Sequence, residues 1–237
     1  MSNCIIVLCG ESFRMGSQFT RLKGTPESYA EQKAACESHV DFFKYIQDVH
    51  GINVKCIINT YETCYTQELK SWYDPYVMHT QVHSNLIGYD GLIRDSVSIL
   101  NSYNAIDTNA FIMFIRIDLV LKPYFKEVFH LSTRILFSSI CFTYNQFHKL
   151  SNGLPRVADL ILYIPKRFFH LVKENKIYLY HSSFDHFINN EILKEDIGFF
   201  LNTYHDSDSE KDFNPIYKIA NRKESRTWFD KGKIIQY

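Results

Sequence analysis

Phe114-Ile115-Arg116-Ile117-Asp118-Leu119 closes the most apolar run of the chain with two charges of opposite sign. At positions i and i+2 of an extended backbone, both charged side chains project to the same side. Charge at the end of a buried strand is costly unless it is paired or used. An aspartate there offers a hard oxygen to a divalent cation, and such a cation neutralises a diphosphate leaving group. The plain alternative is an Arg116–Asp118 ion pair that merely finishes the strand.

A second group follows the first apolar run: Gly10, Glu11, Ser12, Phe13, Arg14, Met15, Gly16 and Ser17. Its glycines, hydroxyls and cation suit a phosphate or a base, although an ordinary polar turn has the same composition. It is neither G-x-G-x-x-G nor G-x-x-x-x-G-K-S/T, which argues against a dinucleotide oxidoreductase and a P-loop ATPase. Asp159 enters a later strand, where a carboxylate can cap a turn. Asp206-Ser207-Asp208 sits in the most polar stretch, where solvation explains both charges. Within His181-Ser182-Ser183-Phe184-Asp185-His186 the histidines stand at i and i+5, on different helix faces, unlike the zinc pattern H-E-x-x-H.

These residues need a scaffold that brings strand ends together. Cys4 to Cys9 is a continuous apolar run ended by Gly10, the pattern of a strand buried on both faces. Helical spacing of Ala34, Ala35, Ser38, Val40, Phe42, Phe43, Ile46 and Val49 predicts a helix over Ser28 to His50, stopped by Gly51. Strands are expected at Val54 to Asn59, Val77 to Val82, Phe111 to Ile117, Arg134 to Phe142 and Ala158 to Ile164. Helices are expected at Tyr65 to Trp72, at Ile87 to Tyr103 and after Pro165. This alternation predicts an α/β fold: a mostly parallel central sheet with helices on both faces. Ligands of such sheets lie at the carboxyl ends of the strands, where the strand order reverses.

The 237 residues fit a single domain, with 1–120 as a nucleotide-binding half and 121–237 as an acceptor-side half. Lys plus Arg and Asp plus Glu number 26 each, so no net charge draws the chain to nucleic acid or an anionic membrane. Six cysteines without a C-x-x-C pair fit a reducing compartment. The run from Ala110 to Leu121 is too short to span a bilayer. With no basic leader before the first strand, a cytoplasmic location is expected.

The strand ending in Arg116-Ile117-Asp118 resembles the GT-A class of glycosyltransferases, including those of large DNA viruses of algae, whose corresponding strand ends in Asp-x-Asp. Here the first Asp is Arg. The resemblance implies a Rossmann-like nucleotide-binding half, a UDP- or GDP-sugar donor and a glycan or small hydroxyl acceptor. It implies Mn2+ or Mg2+ on Asp118 with His205 as a late ligand, while Arg116, which departs from the pattern, would itself counter diphosphate charge. Gly10, Glu11, Ser12, Arg14, Asn59, Thr60, Tyr61, Arg94, Asp95 and Arg222 would hold the nucleotide, and Asp159 would activate the acceptor. For Arg94 and Asp95, a solvated helix surface is the plain alternative. A nucleotidyltransferase shares the sheet plan, but Gly10 to Arg14 has one glycine before its arginine. A non-catalytic nucleotide- or glycan-binding module is the third reading, favoured by the missing first Asp.

Overall fold

The computed structural model describes residues 2–15, 22–85, 87–103, 108–141, 160–174, 176, 192, 194–201, 204–205 and 214–220. β1 (Asn3–Gly10) leads through the short hairpin of β2 (Arg14–Met15) and β3 (Leu22–Lys23) into α1 (Pro26–His50). Then come β4 (Asn53–Tyr61), α2 (Thr66–Trp72), β5 (Val77–His83), α3 (Gly88–Ser102) and β6 (Asn109–Arg116). β7 (Leu119–Leu121), α4 (Tyr124–Val128), β8 (Ile135–Phe137), β9 (Ile140–Cys141), β10 (Ile161–Pro165) and α5 (Phe169–Lys173) continue the chain. β11 (Ile197–Phe199), β12 (Tyr204–His205) and β13 (Tyr217–Ile219) close the described part.

Seven strands form the central sheet in the order β11-β8-β10-β6-β1-β4-β5. β6, β1, β4 and β5 are parallel throughout, as the alternation predicts. β10 is not: it runs antiparallel to both β6 and β8. A strand buried on both faces is apolar in either direction, so Ile161 to Pro165 carries no mark of its orientation. Strand order grows from β1 through β4 to β5 on one side, and β6 then returns to the other. The switch point therefore lies between the carboxyl ends of β1 and β6.

Alternate residues of each strand feed two cores, one per face. Ile6, Leu8, Met113 and Ile115 pack with Phe42, Phe43 and Ile46 of α1. Ile5, Val7, Ile112 and Phe114 pack with Leu92, Val97 and Leu100 of α3 and with Phe169 and Leu171 of α5. Each such side chain contributes about 1.5–3 kcal/mol on burial, enough for the cores to decide which way the helices face. Cys4, Cys9, Cys36 and Cys56 are buried free thiols and Cys64 is an exposed one. Among the described residues, no helix is long and apolar enough to cross a membrane.

α1 starts two residues before the predicted Ser28, because Thr25 caps it: its Oγ1 accepts from Ser28 N at 3.2 Å, with Pro26 following. Its buried stripe is Ser28, Gln32, Ala35, Cys36, His39, Phe42, Phe43 and Ile46. Ala34 and Val49, predicted inside, are exposed, while Gln32 and His39 are buried.

Candidate functional site

At the switch point the side chain of Arg116 lies across Gly10. Gly10 has φ 137°, and a Cβ there would stand 3.2 Å from Arg116 Cγ and 3.5 Å from Ile117 Cγ2. Glycine is thus needed both for the backbone angle and for the passage of the arginine stem. The guanidinium turns back on its own strand end, Nε donating to Asp118 Oδ1 and Nη2 to Oδ2, each at 2.5 Å. This is a bidentate, charge-assisted pair of short bonds. Asp118 is 3% exposed, and its carbonyl accepts from Ala220 N at 2.8 Å. The plain alternative of the sequence, an ion pair at the strand end, forms.

The loop after β1 is held from three sides. Thr60 Oγ1 donates to Gly10 O at 2.8 Å, accepts from Ser12 N at 3.1 Å and lies 2.9 Å from the Ser12 hydroxyl. Gln32 Oε1 accepts from Phe13 N at 3.1 Å while its Nε2 donates to Ile117 O at 2.9 Å, tying the loop to the end of β6. Phe13 has φ 52°, a left-handed conformation that costs a non-glycine residue free energy and persists because these bonds impose it. Its ring is packed among Tyr29, Tyr65 and Trp72. Beyond it Arg14 Nε stands 3.9 Å from Glu11 Oε2, both side chains largely buried. Besides Arg116–Asp118, a second ion pair, Glu11–Arg14, thus lies in the loop that follows Gly10.

A second polar cluster sits at the ends of β4 and β5. Asn59 Nδ2 is within 2.9 Å of Leu92 O and of Ser96 Oγ and 3.1 Å from Asp95 Oδ2. His83 Nε2 stands 2.9 Å from Asn59 Oδ1 and 3.2 Å from Asp95 Oδ2. With two acceptors in front of it, that nitrogen carries the proton. Asn59 is fully buried and its amide is used within the protein, pinning α3 and β5 to β4. Tyr61, also buried, donates to Gly88 O at 3.4 Å.

The structure thus gathers Gly10, Glu11, Ser12, Arg14, Thr60, Arg116 and Asp118 around one strand end. Asn59 and Asp95 belong to the second cluster, and Arg94 is exposed on α3. His205 is placed in β12, paired with Cys141 of β9. Asp159, Arg222, the acidic pair at 206 and 208 and the histidines at 181 and 186 lie outside the described residues. A cavity of about 380 Å³ runs between α1 and α2 past Lys33, Glu37, Lys44 and Trp72, and no strand-end residue lines it. Its mixed charges are those of a solvated helix face.

Sequence reasoning missed Gln32, His39 and His83. The signal for the first two is a polar residue inside the helical stripe that otherwise packs on the sheet. His39 is fully buried on α1, its Nδ1 2.9 Å from Tyr73 Oη. Burial lowers its pKa to about 4, against the smaller upward pulls of a bond with the Leu119 backbone and the charge of Asp118. It is neutral at pH 7.

The expected metal fits this strand end poorly. A divalent ion on the Asp118 oxygens would stand close to the guanidinium, and at ~4 Å in an effective dielectric of ~20 the repulsion is roughly 8 kcal/mol. Among the described residues, no three His, Cys, Asp or Glu side chains gather as a ligand set.

No family model and no curated protein matches the sequence. Solved structures do resemble it in chain path, among them GT-A glycosyltransferases. One is a glycosyltransferase involved in glycosylation of the major capsid of PBCV-1, 11% identical over 86% of this chain and 82% of that one, TM-score 0.40. Another is a putative nucleotide-diphospho-sugar transferase of Desulfovibrio desulfuricans, 12% identical over 87% and 82%, TM-score 0.47. A third is the 4-diphosphocytidyl-2C-methyl-D-erythritol synthase of Anaerococcus prevotii, 7% identical over 85% and 89%, TM-score 0.48.

Proposed function

We propose that the protein is a glycosyltransferase that takes a UDP- or GDP-sugar and passes the sugar to a hydroxyl of a glycan or small molecule. The observation that supports this reading is the charged strand end at the switch point, where the Arg116 stem lies against Gly10 and Arg14 pairs with Glu11 in the loop that follows. That is where a doubly wound sheet receives a ligand. In the reaction the bond from the anomeric carbon to the diphosphate oxygen breaks and a bond to the acceptor oxygen forms. The acceptor proton passes to a base, the role proposed for Asp159. The leaving diphosphate gains charge, which the strand-end guanidinium groups answer. Residues 1–120 would carry the donor and 121–237 the acceptor, with Arg222 reaching the donor from the second half.

A second reading, a nucleotide-binding module without catalysis, is favoured by the closed Arg116–Asp118 pair. One experiment separates the two. UDP-, GDP-, CMP- and ADP-sugars are screened by thermal shift, and free nucleotide is then measured after incubation with each ligand that binds. The transferase reading expects at least one UDP- or GDP-sugar to raise the melting temperature in a concentration-dependent way and to be slowly hydrolysed. Stabilisation without any release supports the module, and no shift with any sugar nucleotide defeats both.

A further inference from the structure

We propose that Arg116 itself receives the diphosphate, that Asp118 holds it in readiness, and that binding at this strand end requires no divalent cation. The inference rests on the sugar-nucleotide reading above and concerns how that donor's charge is met. The end of β6 and the turn after it carry two charged positions, Arg116 and Asp118. Here the first is a guanidinium bonded at 2.5 Å through two donors to the second. A cation brought to Asp118 meets a positive charge already in place, and an oxyanion can take over the two donors that the carboxylate now occupies.

The Arg116 side chain is 12% exposed and that of Asp118 is 4% exposed, so the arginine is the more accessible of the two. A phosphate group presents two oxygens with much the same spacing as a carboxylate, and arginine binds either as a planar fork. The arginine stem is laid over Gly10, which fixes where the fork starts from. The inferred exchange is a turn about the terminal side-chain bonds that carries the head from the carboxylate to the diphosphate. Arg14, in the loop that follows Gly10 and paired with Glu11, is a second arginine of this loop. Asp118 neutralises and aims the guanidinium while no donor is bound.

The test is calorimetric titration of UDP and of GDP into wild-type protein, in EDTA and in Mn2+. Asp118→Asn and the double variant Arg116→Met with Asp118→Asn are titrated in the same two buffers. The double variant removes both charges together and so avoids leaving one buried alone, and far-UV circular dichroism and melting confirm its fold. Wild type is expected to bind at least one nucleotide with the same affinity, within about twofold, in both buffers. Asp118→Asn should bind at least as tightly in EDTA, since the guanidinium loses its competitor. The double variant should bind about tenfold or more weakly, the scale of a lost charge-assisted bond. Wild-type binding that appears only with Mn2+ overturns the inference and leaves the sugar-nucleotide reading standing. So does a loss in Asp118→Asn confined to the Mn2+ buffer, which would make Asp118 a metal ligand. A folded double variant that binds like wild type in EDTA also overturns it. Failure of folded wild type to bind either nucleotide in either buffer removes the sugar-nucleotide reading as well.

Discussion

Gly10 is the residue on which the strand end turns. Gly10→Ala places a methyl group 3.2 Å from the Arg116 stem at a φ of 137°. We expect about 1–3 kcal/mol of lost stability in urea unfolding, together with weaker nucleotide binding as the guanidinium is displaced. His39 makes stability depend on pH. Its folded pKa of about 4 lies below the usual 6.5 because burial disfavours the charged ring. The unfolded chain therefore binds the proton first, so this contribution is complete above pH 6.5 and is lost as pH falls toward 4. The loss amounts to about 3 kcal/mol, and urea midpoints for wild type and His39→Gln between pH 4.5 and 7 should diverge accordingly. The sequence shows Arg116 and Asp118 as a pair worth notice, because charge at the end of an apolar run is visible locally. It does not show Gln32 or His83 as their neighbours' partners, because those contacts join residues 12 to 85 positions apart.

Among the elements, α1 is specified at both ends by short-range chemistry. Thr25→Ala removes the acceptor for Ser28 N and should cost about 1 kcal/mol in the same urea series. At the other end Gly51 holds φ 64°, and a methyl group added there would meet nothing within 4 Å. Its replacement by alanine therefore carries only the left-handed backbone cost, ~1 kcal/mol, without the steric part that Gly10→Ala adds. These caps are legible because they depend on neighbours in sequence. The buried stripe of α1 is less so: hydrophobicity points to Ala34 and Val49, but the face is set by the sheet, which admits Gln32 and His39 because each finds partners there. The reversed direction of β10 escapes sequence reasoning for a related reason. Parallel and antiparallel partners bury Ile161, Leu162 and Ile164 equally well.

At the scale of the molecule, the two sequence halves share one sheet. β10 pairs with β6 over five residues, Ile161 with Ile115 through Pro165 with Phe111. A chain truncated after Leu121 would bare that edge of β6, and an unpaired apolar edge invites association. We expect it to elute from size exclusion as oligomers or aggregate, where the full chain does not. The buried thiols give this sheet a chemical clock. Attack on a disulfide reagent needs the thiolate, and burial raises the Cys36 pKa to about 12 and pushes Cys4 and Cys56 above their usual range as well. Cys64, at the surface, should label at once. Cys4 on β1, Cys36 on α1 and Cys56 on β4 should follow only when strand and helix part, so the slow phase of labelling counts spontaneous openings of the sheet's centre under native conditions.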